Sequence, residues 1–300
     1  MRKYFDIFEF LFRHPLTENQ KLTTIFRYLR WQIVSRILNL QFVFPFVNQT
    51  KLLAQSGIHS ATGNYYVGLM SFEEMSFLMH FIRREELFID VGANIGVFSV
   101  LASGVCGASS IAFEPSTVSF SRMLENISLN NLQDRIVTYN FAVDDSEGRV
   151  QFVSDDGSVI DHVREPSEQS VASVDVDAVS LDYLLRGENP SIIKIDVEGF
   201  ETRVLNGAEK VLEKESLEAI IIELKGHGAR YGYDENEILL RILQLGFKAI
   251  RYDPFSRNLR VLKDPYVNGR VATEIFCRYP ERIQKKLNEA NAFEVLGRLI

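Results

Sequence analysis

The sequence predicts an α/β protein with a doubly wound, mostly parallel sheet, and three observations carry that expectation. From about residue 71 to 245, apolar strand-like runs alternate with amphipathic helical stretches, the pattern of a parallel sheet covered on both faces. One of those runs, LFIDV over 87–91, ends in an acid and passes directly into the turn GANIG, the way a ligand site opens at a strand end. After residue 245 the pattern changes to FKAIRYD, NLRVLK and VATEIFCRY, strands joined by turn-rich pieces, which predict an antiparallel edge.

Taken in order, SFEEMSFLMHFIR (71–83) reads as a helix and ELFIDVG (86–92) as a buried strand. A helix starts near Val97, followed by the strand SSIAFEP (109–115), the helix VSFSRMLENISLNN (118–131) and a third strand, RIVTYNFAV (135–143). Residues 144–176 read as an insertion of short β-elements and loop. SLDYLL (180–185) is a short helix, SIIKIDVEG (191–199) a strand, ETRVLNGAEKVLEKE (201–215) a helix and LEAIIIEL (217–224) a strand. The helix around 235–245 stops at Leu245-Gly246. The expected organisation is an N-terminal helical extension (1–70), the α/β domain (71–280) and a C-terminal helical tail (281–300).

Composition narrows the function classes. The chain has 300 residues, 46% hydrophobic and 24% charged, with a net charge of −7, which argues against nucleic acid as a partner. Two cysteines, Cys106 and Cys277, form no metal or disulfide pattern, so a reducing, cytoplasmic setting is expected. Asp6, Glu9 and Arg13 interrupt any signal-peptide core, and no apolar run approaches the ~18 residues of a membrane span.

Residues 1–46 carry seven Lys/Arg against three acids, about +4, so the remainder carries −11. Leu22, Ile25, Leu29, Ile33, Ile37 and Leu40 recur at helical spacing with Arg27 and Arg30 on the other face. Such a stripe packs on the main domain or on a second copy of the chain, as in a homodimer. Alternatively, it lies peripherally on an anionic inner-membrane surface. Packing is the preferred expectation.

The residues just past each strand form one expected site: Asp90 to Gly96, Glu114, Ala142 to Asp144, Asp196 to Gly199 and Glu223. Gly92 and Gly96 permit a tight strand-to-helix turn, but Val97 stands where a dinucleotide fingerprint places its third glycine. Asp90 would repel a pyrophosphate and suits a ligand bearing an amine and a sulfonium, S-adenosylmethionine. Glu114 lies 24 residues on, at the end of the next strand, where an acid accepts from ribose hydroxyls. Asp144 is placed to accept from an adenine amino group.

FIDVGANIGVFSVLAS, IAFEPS, LENISLNNL, NFAVDDSEGRVQF, VSLDYLL and IIKIDVEGFETRVLNGA together resemble the FkbM family of S-adenosylmethionine-dependent methyltransferases. The lead-in GNYYVGLMSFEEMSFLMHFIRREELFIDVGAN resembles members encoded with surface-polysaccharide genes, as do RHPL, RYLRWQIVSRIL and RYGYDENEILLRILQLGF. The resemblance implies a class I methyltransferase fold, a Rossmann-like seven-stranded sheet with an antiparallel edge strand, and O-methylation of a sugar hydroxyl in a glycan or glycolipid precursor. It implies a cofactor set of Asp90, Gly92, Ala93, Asn94, Gly96, Glu114, Pro115, Ala142, Val143, Asp144 and Asp196. An NAD(P)-dependent oxidoreductase and a non-catalytic cofactor-binding scaffold are the alternative readings.

A sugar hydroxyl is a weak nucleophile, so a general base is expected. His162, in GSVIDHV, is the first candidate, with Asp196 and Glu198 next; the latter two also suit bonding to the following helix N-terminus. Glu223 and Lys225 read as a strand-end ion pair, and no required metal is expected. His80 reads as a satisfied core histidine, while Tyr65 and Tyr66 either pack in the core or close over a ligand.

Overall fold

A computed structural model describes residues 2–37, 40–55, 59–153, 162–165, 172–267, 270–271 and 273–300. Its main sheet has eight strands: β1 (Leu87–Val91), β2 (Ser109–Phe113), β3 (Ile136–Tyr139), β4 (Ile192–Ile195), β5 (Ala219–Ile222), β6 (Lys248–Asp253), β7 (Asn258–Val261) and β8 (Ile275–Cys277). Their spatial order is β7-β6-β8-β5-β4-β1-β2-β3. The order reverses between β1 and β4, and β8 runs antiparallel between β5 and β6. This is the class I methyltransferase arrangement, with one strand beyond the seven expected: β7, the antiparallel edge, hairpinned onto β6.

Alternate residues of the central strands feed different cores. Phe88, Ile192 and Ile221 enter one, whereas Ile89, Val91, Ile193, Ile195, Ile220 and Ile222 enter the other. Both faces are therefore dry, and the ends of the strands are where polar groups gather.

Two expected elements divide, each for a visible reason. RIVTYNFAV leaves the main sheet after Tyr139 because the Asn140 side chain donates to the carbonyls of Glu114 (2.7 Å) and Pro115 (3.0 Å). Ala142–Val143 then pairs with Val174–Val179 in a second sheet that also holds Gly148–Val153 and His162–Val163. Residues 154–161 and 166–171 of the expected insertion lie outside the described residues. The helix expected over 201–215 becomes Glu201–Asn206 and Glu209–Glu213. Asp182 N–H takes the Gly207 carbonyl at 2.8 Å, and its carboxylate accepts from Lys210 and Val211 N–H, starting the second piece afresh.

The N-terminal segment shares the main core. Leu11, Leu16, Trp31, Tyr65 and Tyr66 are buried with Phe77 and Phe88 in one cluster. Tyr65 and Tyr66 thus pack in the core. So does His80, whose Nδ1 lies 2.5 Å from Tyr252 Oη and whose pKa burial pushes down to about 4. Packing of the amphipathic stripe on the main domain is corrected by the structure. The helix Lys21–Gln32 buries Thr24, Tyr28 and Trp31, while Leu22, Leu29, Ile33 and Leu40 face outward. Aromatic rings on the inner face offer more buried area than the aliphatic stripe, and they win the contact. At the other end, the helix Pro280–Asn288 is followed by a hairpin, Glu294–Val295 with Arg298–Leu299, that packs Val295 and Ile300 into the same core.

Candidate active site

The turn after β1 is locked from several sides. Gly92 has φ +72°, and a Cβ there would lie 1.8 Å from the Asp196 carbonyl oxygen, so only glycine lets the ends of β1 and β4 meet. Gly92 and Ala93 N–H both donate to Phe113 O, at 3.0 and 2.9 Å. Asn94 N–H donates to Glu114 Oε2 (2.7 Å), and Ser116 N–H donates to Glu114 Oε1 (2.9 Å). Asn94 Oδ1 accepts from Ser60 Oγ at 3.1 Å, tying in the helix His59–Val67. Glu114 therefore binds two strand ends into one cradle.

Asp90 is fully buried, and its partner is a residue the sequence reading passed over. Lys194 sits beside it in register on β4, with Nζ 3.6 Å from Asp90 Oδ1, 2.9 Å from Gly92 O and 3.4 Å from Asp196 Oδ2. Ser99 Oγ donates to Asp90 Oδ2 at 2.7 Å. Burial raises the Asp90 carboxyl above its ordinary value, against the pull of Lys194 and Ser99. Burial acts to lower Lys194, but the Asp196 and Asp90 carboxylates outweigh it and hold the ammonium above its ordinary range. Asp90 thus positions Lys194, and Lys194 fixes the Gly92 carbonyl.

Asp144 is likewise committed. It is buried, and its Oδ1 accepts from Arg203 Nε (2.6 Å) and from Asp145 N–H (2.7 Å). This ion pair ties Asp144 to the helix after β4. Ala142 and Val143 are buried in the second sheet.

The ends of β4 and β5 are organised differently. The helix Glu201–Asn206 has no side-chain cap from Asp196 or Glu198; instead Glu201 Oε1 reaches back to accept from the loop N–H groups of Val197 (3.2 Å) and Gly199 (3.1 Å). Burial lifts the Glu201 carboxyl to about 7. Asp196 and Glu198 stay partly exposed, and Glu198 has φ 57°, a left-handed conformation that projects it from the turn. Its Oε2 lies 2.7 Å from His227 Nδ1. Gly199 allows that approach, since a Cβ there would lie 2.6 Å from His227 O. Glu223 pairs with Lys225, as expected, and burial raises its carboxyl, with Asp196 adding to the rise.

Glu198, Glu223 and His227 bring ligand-type atoms within 4.8 Å of one another, a set of the kind that holds a divalent cation. Lys225 already presents its ammonium to Glu223. Beside this group lies a pocket lined by Glu74, Phe98, Lys194, Asp196, Glu223 and Glu274. His162 pairs with Val153 in the second sheet, and that strand meets the turn His227–Tyr231. Tyr231 Oη donates to Val163 O, and Arg230 Nε is 3.4 Å from Glu165.

Residues 90–249, just over half of the chain, match the Methyltransferase FkbM domain. The chain belongs to the FkbM methyltransferase family. The match begins at Asp90 and runs through the whole strand-end site. This FkbM protein is 28% identical over 150 residues to the hexuronic acid methyltransferase AglP of Haloferax volcanii, a match covering 49% of this chain. The chain spans 59% of the length of that curated relative. Among solved structures, P. horikoshii TYW2 in complex with MeSAdo is 25% identical, with a TM-score of 0.29 over 36% of this chain and 40% of that one. M. capricolum TrmK in complex with S-adenosyl-homocysteine is 12% identical, with a TM-score of 0.35 over 60% of this chain and 62% of that one.

Of the residues expected in the FkbM site, the structure joins Asp90, Gly92, Ala93, Asn94, Glu114, Pro115 and Asp196 through direct contacts. Lys194, Glu201 and His227 were missed. Lys194 carried a signal, a cation inside an otherwise apolar strand, whereas His227 sits in a loop whose fold no local pattern dictates.

Proposed function

We propose that this FkbM protein transfers a methyl group from S-adenosylmethionine to a hydroxyl of a sugar in a glycan or glycolipid precursor. The observation that carries the sugar reading is the pocket beyond β4 and β5. Glu74, Asp196, Glu223 and Glu274 supply acceptors for hydroxyl protons, Lys194 supplies a donor, and Phe98 supplies an aromatic wall. The name of the Haloferax relative, a hexuronic acid methyltransferase, supports the same acceptor class.

The cradle fits S-adenosylmethionine by its chemistry. It presents carboxylates rather than a basic phosphate site, and a carboxylate has acceptor sites for about four hydrogen bonds, enough for Glu114 to serve its loop and a ribose hydroxyl. Bound S-adenosylmethionine supplies an electrophilic sulfonium methyl, and this chain's residues provide alignment and a place for the proton. His227 is the base we favour. Glu198 Oε2 lies 2.7 Å from Nδ1, which places a carboxylate beside the imidazole and leaves Nε2 to take the acceptor proton. His162, on the strand packed against the same turn, is the second base, and parallel His227→Ala and His162→Ala variants separate the two.

Calorimetric titration with S-adenosylmethionine, S-adenosylhomocysteine and NAD tests the cofactor, and mass spectrometry of glycans from cells with and without the gene tests the acceptor. The expected result is binding of the first two ligands, no NAD binding, and loss of one methyl group from a glycan. NAD binding without S-adenosylmethionine binding, or an unchanged glycan profile, overturns the reading.

A further inference from the structure

The helix Lys21–Gln32 leaves a second apolar face uncovered. Leu22, Phe26, Leu29 and Ile33 are 84%, 68%, 52% and 51% exposed, and their spacing of four, three and four residues puts them on one stripe. Leu40 and Val43, just beyond, are 54% and 45% exposed. The opposite face is fully used: Tyr28 packs against Tyr66 at 5.5 Å between ring centroids, and Trp31 against Tyr65 at 6.1 Å. Rotation of the helix to bury the outer stripe would expose those rings, so the stripe is a fixed feature of the fold.

From this we infer that the stripe is a docking surface for an anionic membrane. Charge decides the occupant. The exposed cations Lys21 and Arg30 flank the stripe, and residues 1–46 carry about +4 on a chain whose remainder carries −11. Apolar side chains including a phenylalanine, bordered by cations, match the interior and headgroup layers of an anionic bilayer. A two-fold contact between copies would bring Lys21 and Arg30 of one copy near those of the other. Six exposed apolar side chains also fall short of the roughly 20–30 residues a side that a stable protein interface uses. No helix among the described residues is long and apolar enough to cross a membrane, so the contact is peripheral.

The surface is coupled to the site by one element. The helix His59–Val67 carries Tyr65 and Tyr66 against the docking helix at one end and Ser60 against Asn94 of the β1 turn at the other. This inference does not depend on which acceptor is methylated.

The test is co-sedimentation of the full chain with phosphatidylcholine vesicles, with and without phosphatidylglycerol. Wild type sediments with the anionic vesicles and is released by salt. Leu22→Ser/Phe26→Ser/Leu29→Ser lowers that binding about tenfold, since affinity follows buried apolar area. Lys21→Glu/Arg30→Glu, which leaves the apolar stripe intact, lowers it to a similar degree. Circular dichroism checks the fold of each variant, and S-adenosylmethionine titration checks the site, so a failed membrane inference stays distinct from a failed cofactor reading. Vesicle binding that both variants retain overturns the proposal. So does a wild-type dimer, seen by light scattering, that the triple variant breaks without any vesicle binding.

Discussion

Around β1, β2 and the start of the second sheet, Asp90, Glu114 and Asp144 are all buried, each held by backbone N–H groups, a hydroxyl or a cation of the protein. Around the ends of β4 and β5, Asp196, Glu198 and Glu223 are partly exposed; Lys194 and Lys225, which line the pocket, pair with Asp196 and Glu223, and His227 lies beside Glu198. The first set builds a rigid cradle, where a carboxylate is worth most when its partners are fixed in advance. The second set retains side chains that gain or lose partners as an acceptor arrives. The acids nearest the glycine turn hold the fold together, whereas those at the ends of β4 and β5 remain partly exposed.

The joint between the halves is Gly92, and breaking it has the largest expected effect. Gly92→Ala forces a Cβ into the Asp196 carbonyl from a left-handed backbone, a clash with backbone atoms that no rotamer relieves. Urea unfolding is expected to show a loss of about 3 kcal/mol or more, and titration a loss of S-adenosylmethionine binding. A variant that retains both would show that the halves are not locked at this point.

Next in size is the contrast between affinity and turnover. His227→Ala is expected to lower kcat about 100-fold while cofactor affinity stays within about twofold, the mark of a group that acts on the proton in flight. If affinity falls and turnover per bound cofactor does not, His227 belongs to the cradle and the division between halves fails.

Much of this arrangement was legible in the sequence because it follows from chain-local rules. Strand ends in a parallel sheet converge, so Asp90, Glu114, Asp196 and Glu223 could be gathered on paper before any contact was known. The partners of those acids were not legible, because they come from registry and loop path. Lys194 meets Asp90 only through the β1–β4 register, and Arg203 meets Asp144 only once the third expected strand breaks at Asn140. That Lys194, in the adjacent strand, answers the charge of Asp90 could not be read from the spacing of Asp90 and its glycines. Packing of the 22–40 stripe on the main domain failed for a related reason: periodicity identifies an apolar face, but not which of two faces a core will choose.

Glu201 supplies the smallest and most selective test, because it bears on the β4 turn without touching the pocket chemistry. Its carboxyl, lifted by burial to about 7 from an ordinary 4.5, holds a proton in the folded chain that the unfolded chain has released between those values. Its contribution to stability is therefore fully present below about 4.5 and is lost as pH rises through 7. Glu201→Gln removes the titration, yet an amide oxygen still accepts from Val197 and Gly199 N–H, which both bond to the same carboxylate oxygen. Denaturant midpoints taken from pH 5 to 8 should move in favour of the variant, by on the order of 1–3 kcal/mol across the range. Parallel curves would mean that the carboxyl is not the titrating brace of the turn. In that case the left-handed Glu198 would be held by Gly199 and the His227 contact alone.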